Sequence, residues 1–139
     1  MRPAVLVFLA LFTGPALADD PPADPGSQAA IQTVITRQLE AFAAGDGSTA
    51  ESFASPGIRE RFPDPAAFLG MVQQAYGALV SPKSTRFGEL SQTPLGLVQK
   101  LTVVDAKGGV WTAAYTMTLV DGQWRISGCY MLKAEAVGA

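Results

Sequence analysis

The chain has 139 residues, and its 10 lysines and arginines against 12 aspartates and glutamates give a formal net charge of −2. It contains no histidine and one cysteine, which excludes His-dependent nucleophilic sites, His-ligated zinc, thiolate metal clusters and internal disulfides. The slight acidity argues against a nucleic-acid binder, because such domains carry a basic surface. We therefore expect no metal, no cofactor and no nucleic-acid partner.

Residues 1–18 have the pattern of a secretory signal peptide. Arg2 provides a positive start, residues 4–12 form an almost unbroken apolar run, and residues 16–18 form a small-x-small cleavage signal. A membrane anchor is the alternative, but the apolar run is only about half of the ~20 residues that a spanning helix needs. We therefore predict cleavage near Ala18 and a periplasmic or secreted protein that makes no membrane contact after cleavage.

A spacer and an amphipathic helix are predicted next. Residues 19–28 are expected to be a disordered spacer, because they are rich in proline and poor in large apolar side chains. A single folded domain is assigned to residues 29–135, and its first helix is expected to begin near Ser27 and to end at Gly45. The apolar face of that helix follows helical spacing at Ile31, Val34, Ile35, Leu39 and Phe42.

Three shorter helices follow in the prediction. Ser48-x-x-Glu51 is a capping-box pattern that opens the second helix. The pairs Ser55-Pro56 and Asp64-Pro65 place a capping side chain directly before a proline, an arrangement that favours a helix start. They predict a turn through Phe62 and a helix through about Ala75.

The second half of the domain has the period-two pattern of β-strands. We predict four antiparallel strands over residues 84–90, 95–105, 110–120 and 123–132, since these segments are rich in Val, Thr, Tyr, Trp and Leu. Helices followed by such a meander predict an α+β fold, in which N-terminal helices pack on one side of a curved four-stranded sheet.

The turn at Asp121-Gly122 predicts the register of the last hairpin, because type I′ turns favour this dipeptide. Tyr115 would then lie across from Gly128, and a three-residue loop at 107–109 would place Gln99 on the same face as Tyr115. In this register the aromatic side chains share one apolar face, formed by Trp111, Tyr115, Trp124 and Tyr130, and Cys129 lies on the opposite face.

The order of these motifs resembles an uncharacterised proteobacterial family, domain of unknown function 4864. The resemblance covers about residues 29–133 and is carried by Ile31-x-x-Val34-Ile35-x-x-Gln38-Leu39-x-Ala41-Phe42, Phe53-Ala54-Ser55-Pro56-x-Ile58, Phe62, Phe68, Met71-Val72, Tyr76 and Trp124-x-Ile126-x-Gly128-Cys129. It implies a cone-shaped α+β fold similar to the nuclear transport factor two-like and cystatin-like superfamily. That superfamily contains both small-substrate enzymes and non-catalytic binding modules, so the resemblance implies no particular activity.

One hypothesis for the site is a cofactor-free isomerase or lyase that uses Glu89 and Tyr115 as its catalytic residues. A carboxylate in an apolar pocket has a raised pKa and can act as a general base. Glu89 would share the face of Tyr115 if Phe87 points inward. The alternative, which we favour, places Glu89 at a solvated strand end and Gln99 at the sheet edge. It places Tyr115 in the core with its hydroxyl hydrogen-bonded to the backbone.

The other hypothesis is a non-catalytic binding or interaction domain. Its ligand would be a small apolar molecule held between helices and sheet by Phe42, Phe68, Gln99, Trp111, Tyr115, Trp124 and Tyr130. A closed core filled by the same rings is the alternative, and we favour it over an open pocket. The adjacent charges Arg59, Glu60 and Arg61 are predicted to be a solvated face, with a binding site as the alternative.

Cys129 is expected either to be buried or to link two chains. By analogy with related folds, the outer sheet face is a candidate homodimer surface, formed by Thr112, Ala114, Thr116, Thr118, Ser127 and Cys129. Between the two function classes, the sequence favours binding or interaction over catalysis.

Overall fold

A computed structural model describes residues 24–134, which form helices followed by one antiparallel sheet. The helices are α1 (Pro25–Ala43), α2 (Gly47–Ser52), α3 (Pro56–Arg59) and α4 (Pro65–Ala75), with a 3₁₀ turn at Gly77–Leu79. The strands are β1 (Ser84–Thr93), β2 (Gly96–Val104), β3 (Val110–Val120) and β4 (Gln123–Lys133), in that spatial order. The predicted signal peptide and residues 19–23 of the predicted spacer lie outside the described residues.

Three of the four helices begin at a proline that follows a capping side chain. Asp24 Oδ1 accepts a hydrogen bond from the Ser27 backbone N–H at 2.8 Å, so α1 begins at Pro25, earlier than predicted. The predicted starts after Ser55 and Asp64 are confirmed. The predicted capping box is wrong, because Asp46 rather than Ser48 caps α2.

The core lies between the helices and one face of the sheet. Apolar side chains of α1 and α4 pack against the inward positions of β2, β3 and β4, and the buried set includes Ile31, Ile35, Phe42, Phe68, Val72, Leu101, Val103, Met117 and Ile126. Burial of each large side chain contributes about 1.5–3 kcal/mol of transfer free energy. No helix within residues 24–134 is both long enough and apolar enough to cross a membrane.

The register of β2 against β3 is the predicted one. Gln99 lies opposite Tyr115, and both side chains are buried on the helix-facing side. The connection is built around Asp105, whose Oδ1 accepts hydrogen bonds from the backbone N–H groups of Lys107 (2.9 Å) and Gly109 (2.7 Å).

A bulge at Ser127 changes the register of the last hairpin. The predicted pair Met117 and Ile126 is present, but beyond it Thr116 pairs with Gly128 and Tyr115 with Cys129. The extra residue reverses the alternation of every later side chain in β4. The predicted pairing of Tyr115 with Gly128 is therefore wrong.

A second bulge occurs in β1. Phe87 pairs with Leu101 and Leu90 pairs with Gln99, so Gly88 and Glu89 together oppose Lys100. Phe87 and Leu90 both pack against the core. Glu89 is exposed, which a regular alternation from an inward Phe87 would not produce.

The linker between α2 and α3 is attached to β4 directly beside its bulge. Ile126 donates its backbone N–H to the Phe53 carbonyl at 2.8 Å and accepts a hydrogen bond from the Ser55 N–H, also at 2.8 Å. The linker thereby forms a wall over the bulged part of the sheet.

Candidate functional site

A cavity of about 440 Å³ lies between the helices and the bulged end of the sheet. Its walls come from α1, the segment from Ala54 to Phe62, α4, the following turn, β3 and β4, and most of its lining is apolar. The lining residues are Gln38, Phe42, Ala54, Ile58, Arg61, Phe62, Phe68, Met71, Val72, Tyr76, Leu79, Tyr115, Ile126, Ser127, Gly128 and Cys129. Ligand pockets in proteins commonly have this size and an apolar lining with a few polar groups.

Tyr115 is the most deeply buried polar group of the cavity. Its side chain is 1% exposed, and its hydroxyl has no hydrogen-bond partner among the described residues. The expected hydrogen bond from this hydroxyl to the backbone is therefore wrong. Burial, with a smaller contribution from the neighbouring Cys129, raises the pKa of Tyr115 well above its ordinary value. At neutral pH the group is therefore a neutral phenol whose hydrogen-bonding capacity is unused within the protein.

Cys129 lies directly opposite Tyr115 on β4 and lines the same cavity. Burial raises the pKa of its thiol from 9.0 to about 12, so the thiol is protonated at neutral pH. The backbone carbonyl of Cys129 accepts a hydrogen bond from the Tyr76 hydroxyl at 3.3 Å. This bond joins the end of α4 to the bulged strand.

Arg61 is the one lining residue with a formal charge at neutral pH, among those that the structure describes. It is exposed and therefore marks the mouth of the cavity, whereas Tyr115 lies at its floor. The backbone N–H of Arg61 donates to the Ile58 carbonyl at 3.0 Å. The next residue, Phe62, packs edge-on against Phe68 with ring centroids 5.5 Å apart, which fixes the segment at the rim.

Three of the predicted pocket residues line the cavity: Phe42, Phe68 and Tyr115. Gln99, Trp111, Trp124 and Tyr130 lie elsewhere, and the reasons differ. The closed core predicted from the same rings is present in part: Phe42, Phe68, Tyr115 and Trp124 are buried in it. The cavity lies beside the first three of these residues.

Gln99 stabilises the β1 bulge through hydrogen bonds from its side chain. Its side chain is fully buried, and its Nε2 donates to the carbonyls of Gly88 at 3.0 Å and Lys100 at 2.9 Å. The bulge exposes these carbonyls to the interior, where an unpaired acceptor would be costly. The assignment of Gln99 to the pocket is therefore wrong, and so is the alternative that left it at the sheet edge, because β2 is paired on both sides.

Glu89 lies on β1, the edge strand at the opposite side of the sheet from β4, and no residue of β1 lines the cavity. It is exposed and absent from the cavity lining. The hypothesis that Glu89 shares the face of Tyr115 is wrong, since the bulge turns its side chain outward.

The other three predicted aromatic residues, Trp111, Trp124 and Tyr130, lie outside the cavity lining. Trp111 is half-buried, its Nε1 donates to Asp105 Oδ2 at 2.9 Å, and Lys133 Nζ lies 5.5 Å from its ring centroid. Trp124 is buried in the core. Tyr130 is 71% exposed on the outer face, because it follows the β4 bulge.

The prediction missed Cys129, Tyr76 and the position of Arg61 at the cavity mouth. Cys129 was expected on the outer face, and the bulge at Ser127 turns it inward. One available signal was the pair of glycines within predicted strands, Gly88 and Gly128, because a glycine inside a strand often marks a bulge.

The described residues contain no group of three or more His, Cys, Asp or Glu side chains close enough together to hold a metal ion. The residues of the cavity also offer no carboxylate. The chemistry that they do offer is hydrogen bonding by neutral groups at the floor and electrostatic attraction of an anion at the mouth.

Comparisons with solved structures identify the fold. Aln2 from a Streptomyces species superposes with a TM-score of 0.51 at 15% identity, covering 81% of this chain and 94% of Aln2. An NTF2-like protein of unknown function from Shewanella baltica has a TM-score of 0.52 at 11% identity, covering 80% and 96%. A type 2 hexachlorocyclohexane dehydrochlorinase (LinA) has a TM-score of 0.44 at 14% identity, covering 81% and 91%, a similarity too distant to bear on function.

In sequence, no protein of curated function matches the chain. Residues 25–139 match the family described as Domain of unknown function (DUF4864). The match spans the helices and the whole sheet, and the fold expected from the resemblance is confirmed. The chain thus belongs to the family Domain of unknown function (DUF4864) and has the α+β fold of nuclear transport factor two-like proteins.

Proposed function

We propose that this protein is a non-catalytic binding domain that captures a small, mainly apolar molecule in the cavity between helices and sheet. The observation that carries the proposal is the hydroxyl of Tyr115, which is buried at the floor of the cavity without a partner among the described residues. Burying an unpaired hydroxyl costs about 1–3 kcal/mol. A ligand that supplies the missing hydrogen bond would recover this cost on binding.

The ionisation of the cavity favours binding over acid–base catalysis. Tyr115 and Cys129 both have raised pKa values, so neither supplies a base near neutral pH. The isomerase or lyase hypothesis required a carboxylate beside Tyr115, and Glu89 is exposed elsewhere. The geometry therefore supports capture of a molecule over its chemical conversion.

We also propose that the domain acts outside the cytoplasm, in the periplasm or as a secreted protein. This proposal is supported by the signal-peptide pattern of residues 1–18 and by the cleavage signal ending at Ala18. An exported domain with an apolar cavity would hold molecules that are poorly soluble in the surrounding water.

Native mass spectrometry of residues 19–139, purified from a periplasm without added reductant, tests the proposal. The matched variants are Met71→Trp, which inserts a large side chain at a cavity-lining position of α4, and Gln73→Trp, which places the same side chain on its exposed surface. We expect a reproducible small-molecule mass on the wild type and on Gln73→Trp, and its loss from Met71→Trp.

The neutral fluorescent probe N-phenyl-1-naphthylamine provides a second readout that needs no co-purified molecule. Its fluorescence should rise with the wild type and Gln73→Trp and should rise much less with Met71→Trp. Bare protein in mass spectrometry together with no probe binding by the wild type would contradict the proposed function. Circular dichroism of all three proteins would show whether Met71→Trp is folded.

A further inference from the structure

We propose, resting on the proposed function above, that the ligand is an apolar anion with a neutral oxygen acceptor at its buried end. The anionic group would lie beside Arg61 at the mouth, and the neutral acceptor would take a hydrogen bond from the Tyr115 hydroxyl at the floor. Chemically this describes a hydrophobic carboxylic acid that also carries a keto or similar oxygen.

The floor requires a neutral acceptor. Tyr115 has one O–H to donate, and the adjacent Cys129 is a weak donor. A buried anion there would lose its hydration without a compensating positive charge, which is strongly unfavourable. A carbonyl oxygen satisfies the phenol and brings no charge into the apolar interior.

The mouth favours an anion. Arg61 is the one formally charged lining residue among those described, and it is exposed. Its side chain makes no hydrogen bond or ion pair to another described residue. A guanidinium in this position can pair with a carboxylate that remains partly in solvent.

The middle of the cavity selects an apolar body. Between the floor and the mouth the walls are formed largely by aromatic and aliphatic side chains, including Phe42, Phe68 and Val72. A ligand with polar atoms at both ends and an apolar body between them would match this distribution of lining side chains.

Isothermal titration calorimetry with three ten-carbon probes tests both ends separately. Decanoate carries the anion alone, decan-2-one carries the ketone alone, and 9-oxodecanoate carries both. We expect the wild type to bind 9-oxodecanoate roughly 3- to 10-fold more tightly than decanoate, the range for one additional hydrogen bond.

Two variants test which residue contacts each end of the ligand. Tyr115→Phe should abolish the preference for 9-oxodecanoate over decanoate and leave decanoate affinity unchanged. Arg61→Gln should weaken both acids roughly 2- to 5-fold, as expected for an exposed ion pair, and leave decan-2-one unaffected. Arg59→Gln removes an exposed arginine that does not line the cavity and should behave as the wild type.

High salt should reduce the contribution of Arg61 to the affinity for the two acids and should leave the contribution of Tyr115 unchanged. Failure of either cavity variant to act as stated overturns the assignment of that end of the ligand. Equal binding of all three probes overturns the ligand chemistry while the proposed function stands. Absence of binding by all three overturns the chemistry if N-phenyl-1-naphthylamine binds, and overturns both proposals if it does not.

Discussion

Replacing each tyrosine with phenylalanine removes a hydroxyl from one of three different environments. The chain has three tyrosines. Tyr115 is buried without a hydrogen-bond partner among the described residues, Tyr76 donates to the Cys129 carbonyl at 3.3 Å, and Tyr130 is 71% exposed. The same chemical change should therefore have three different effects on the free energy of unfolding.

For Tyr115→Phe we expect the ligand-free protein to become more stable. An unpaired buried hydroxyl costs about 1–3 kcal/mol, and phenylalanine occupies almost the same volume without that cost. In a domain of this size, 1 kcal/mol corresponds to roughly 4 °C in Tm, so the rise should be about 4–12 °C. Tyr76→Phe should lower stability by about 0.5–1.5 kcal/mol, and Tyr130→Phe should change it by less than about 0.5 kcal/mol.

The assay is urea and thermal unfolding of the wild type and the three variants, each first unfolded and refolded to remove bound molecules. Protein measured without that step should show a smaller gain for Tyr115→Phe, because a bound ligand stabilises only the wild type through the hydroxyl. Destabilisation of refolded Tyr115→Phe to the level of Tyr76→Phe would refute the reasoning. That result would mean that the Tyr115 hydroxyl is already well hydrogen-bonded in the ligand-free protein.

Four further predictions address the rest of the molecule. Gln99→Leu should cost about 1–3 kcal/mol in urea unfolding, because it leaves the bulge carbonyls unpaired in the interior; no change would mean that they reach solvent. The pKa of Asp105 is lowered by hydrogen bonds, first from the Trp111 side chain and then from a backbone N–H, so its stabilising contribution is present above its unfolded pKa and is lost as pH falls through the lower folded value. Asp105→Asn should therefore be less stable than the wild type at neutral pH, and the difference in their free energies of unfolding should become smaller below about pH 4. A difference that does not depend on pH would contradict a stabilising role of the ionised Asp105 carboxylate. The raised pKa of Cys129 predicts roughly a thousandfold less thiolate than in a free cysteine at mildly alkaline pH. A thiol reagent should therefore react slowly with Cys129 at that pH, and the reaction rate should increase as the pH rises toward 12. A rate equal to that of a free thiol would contradict the burial of Cys129. A homodimer through the outer sheet face remains a proposal, with Cys129 excluded from that face by the β4 bulge. Leu132 pairs with Thr112 of that face and is 60% exposed, so Leu132→Lys should shift sedimentation from dimer to monomer; an identical mass for both proteins would oppose the dimer.

The order of helices and strands could be predicted from local chemistry alone. A Ser or Asp directly before a proline satisfies the free N–H groups of the first turn, and this arrangement starts α3 and α4 where predicted. It also starts α1 at Pro25, where the proline-rich composition suggested a spacer instead. The capping signal is the stronger guide because it acts on specific backbone groups.

The membership of the candidate site was only partly predictable. Phe42 and Phe68 follow from helical periodicity, and Tyr115 follows from the alternation within β3. Tyr76 and Arg61 lie outside regular elements, so no periodicity assigns them to the cavity. Their positions depend on tertiary contacts, such as the hydrogen bond from Tyr76 to β4.

Two inserted residues account for the difference between the predicted and the observed site. Without the β1 bulge, regular alternation from an inward Phe87 would turn Glu89 toward the interior, and without the β4 bulge Cys129 would face outward. Each bulge reverses the later alternation of its strand. The β1 bulge removes a carboxylate from the predicted site, and the β4 bulge brings into the cavity a thiol whose pKa is about 12. Because Tyr115 is also neutral, the interior of the cavity has no charge at neutral pH, and the charge of any bound acid must be balanced at its mouth, where Arg61 lies.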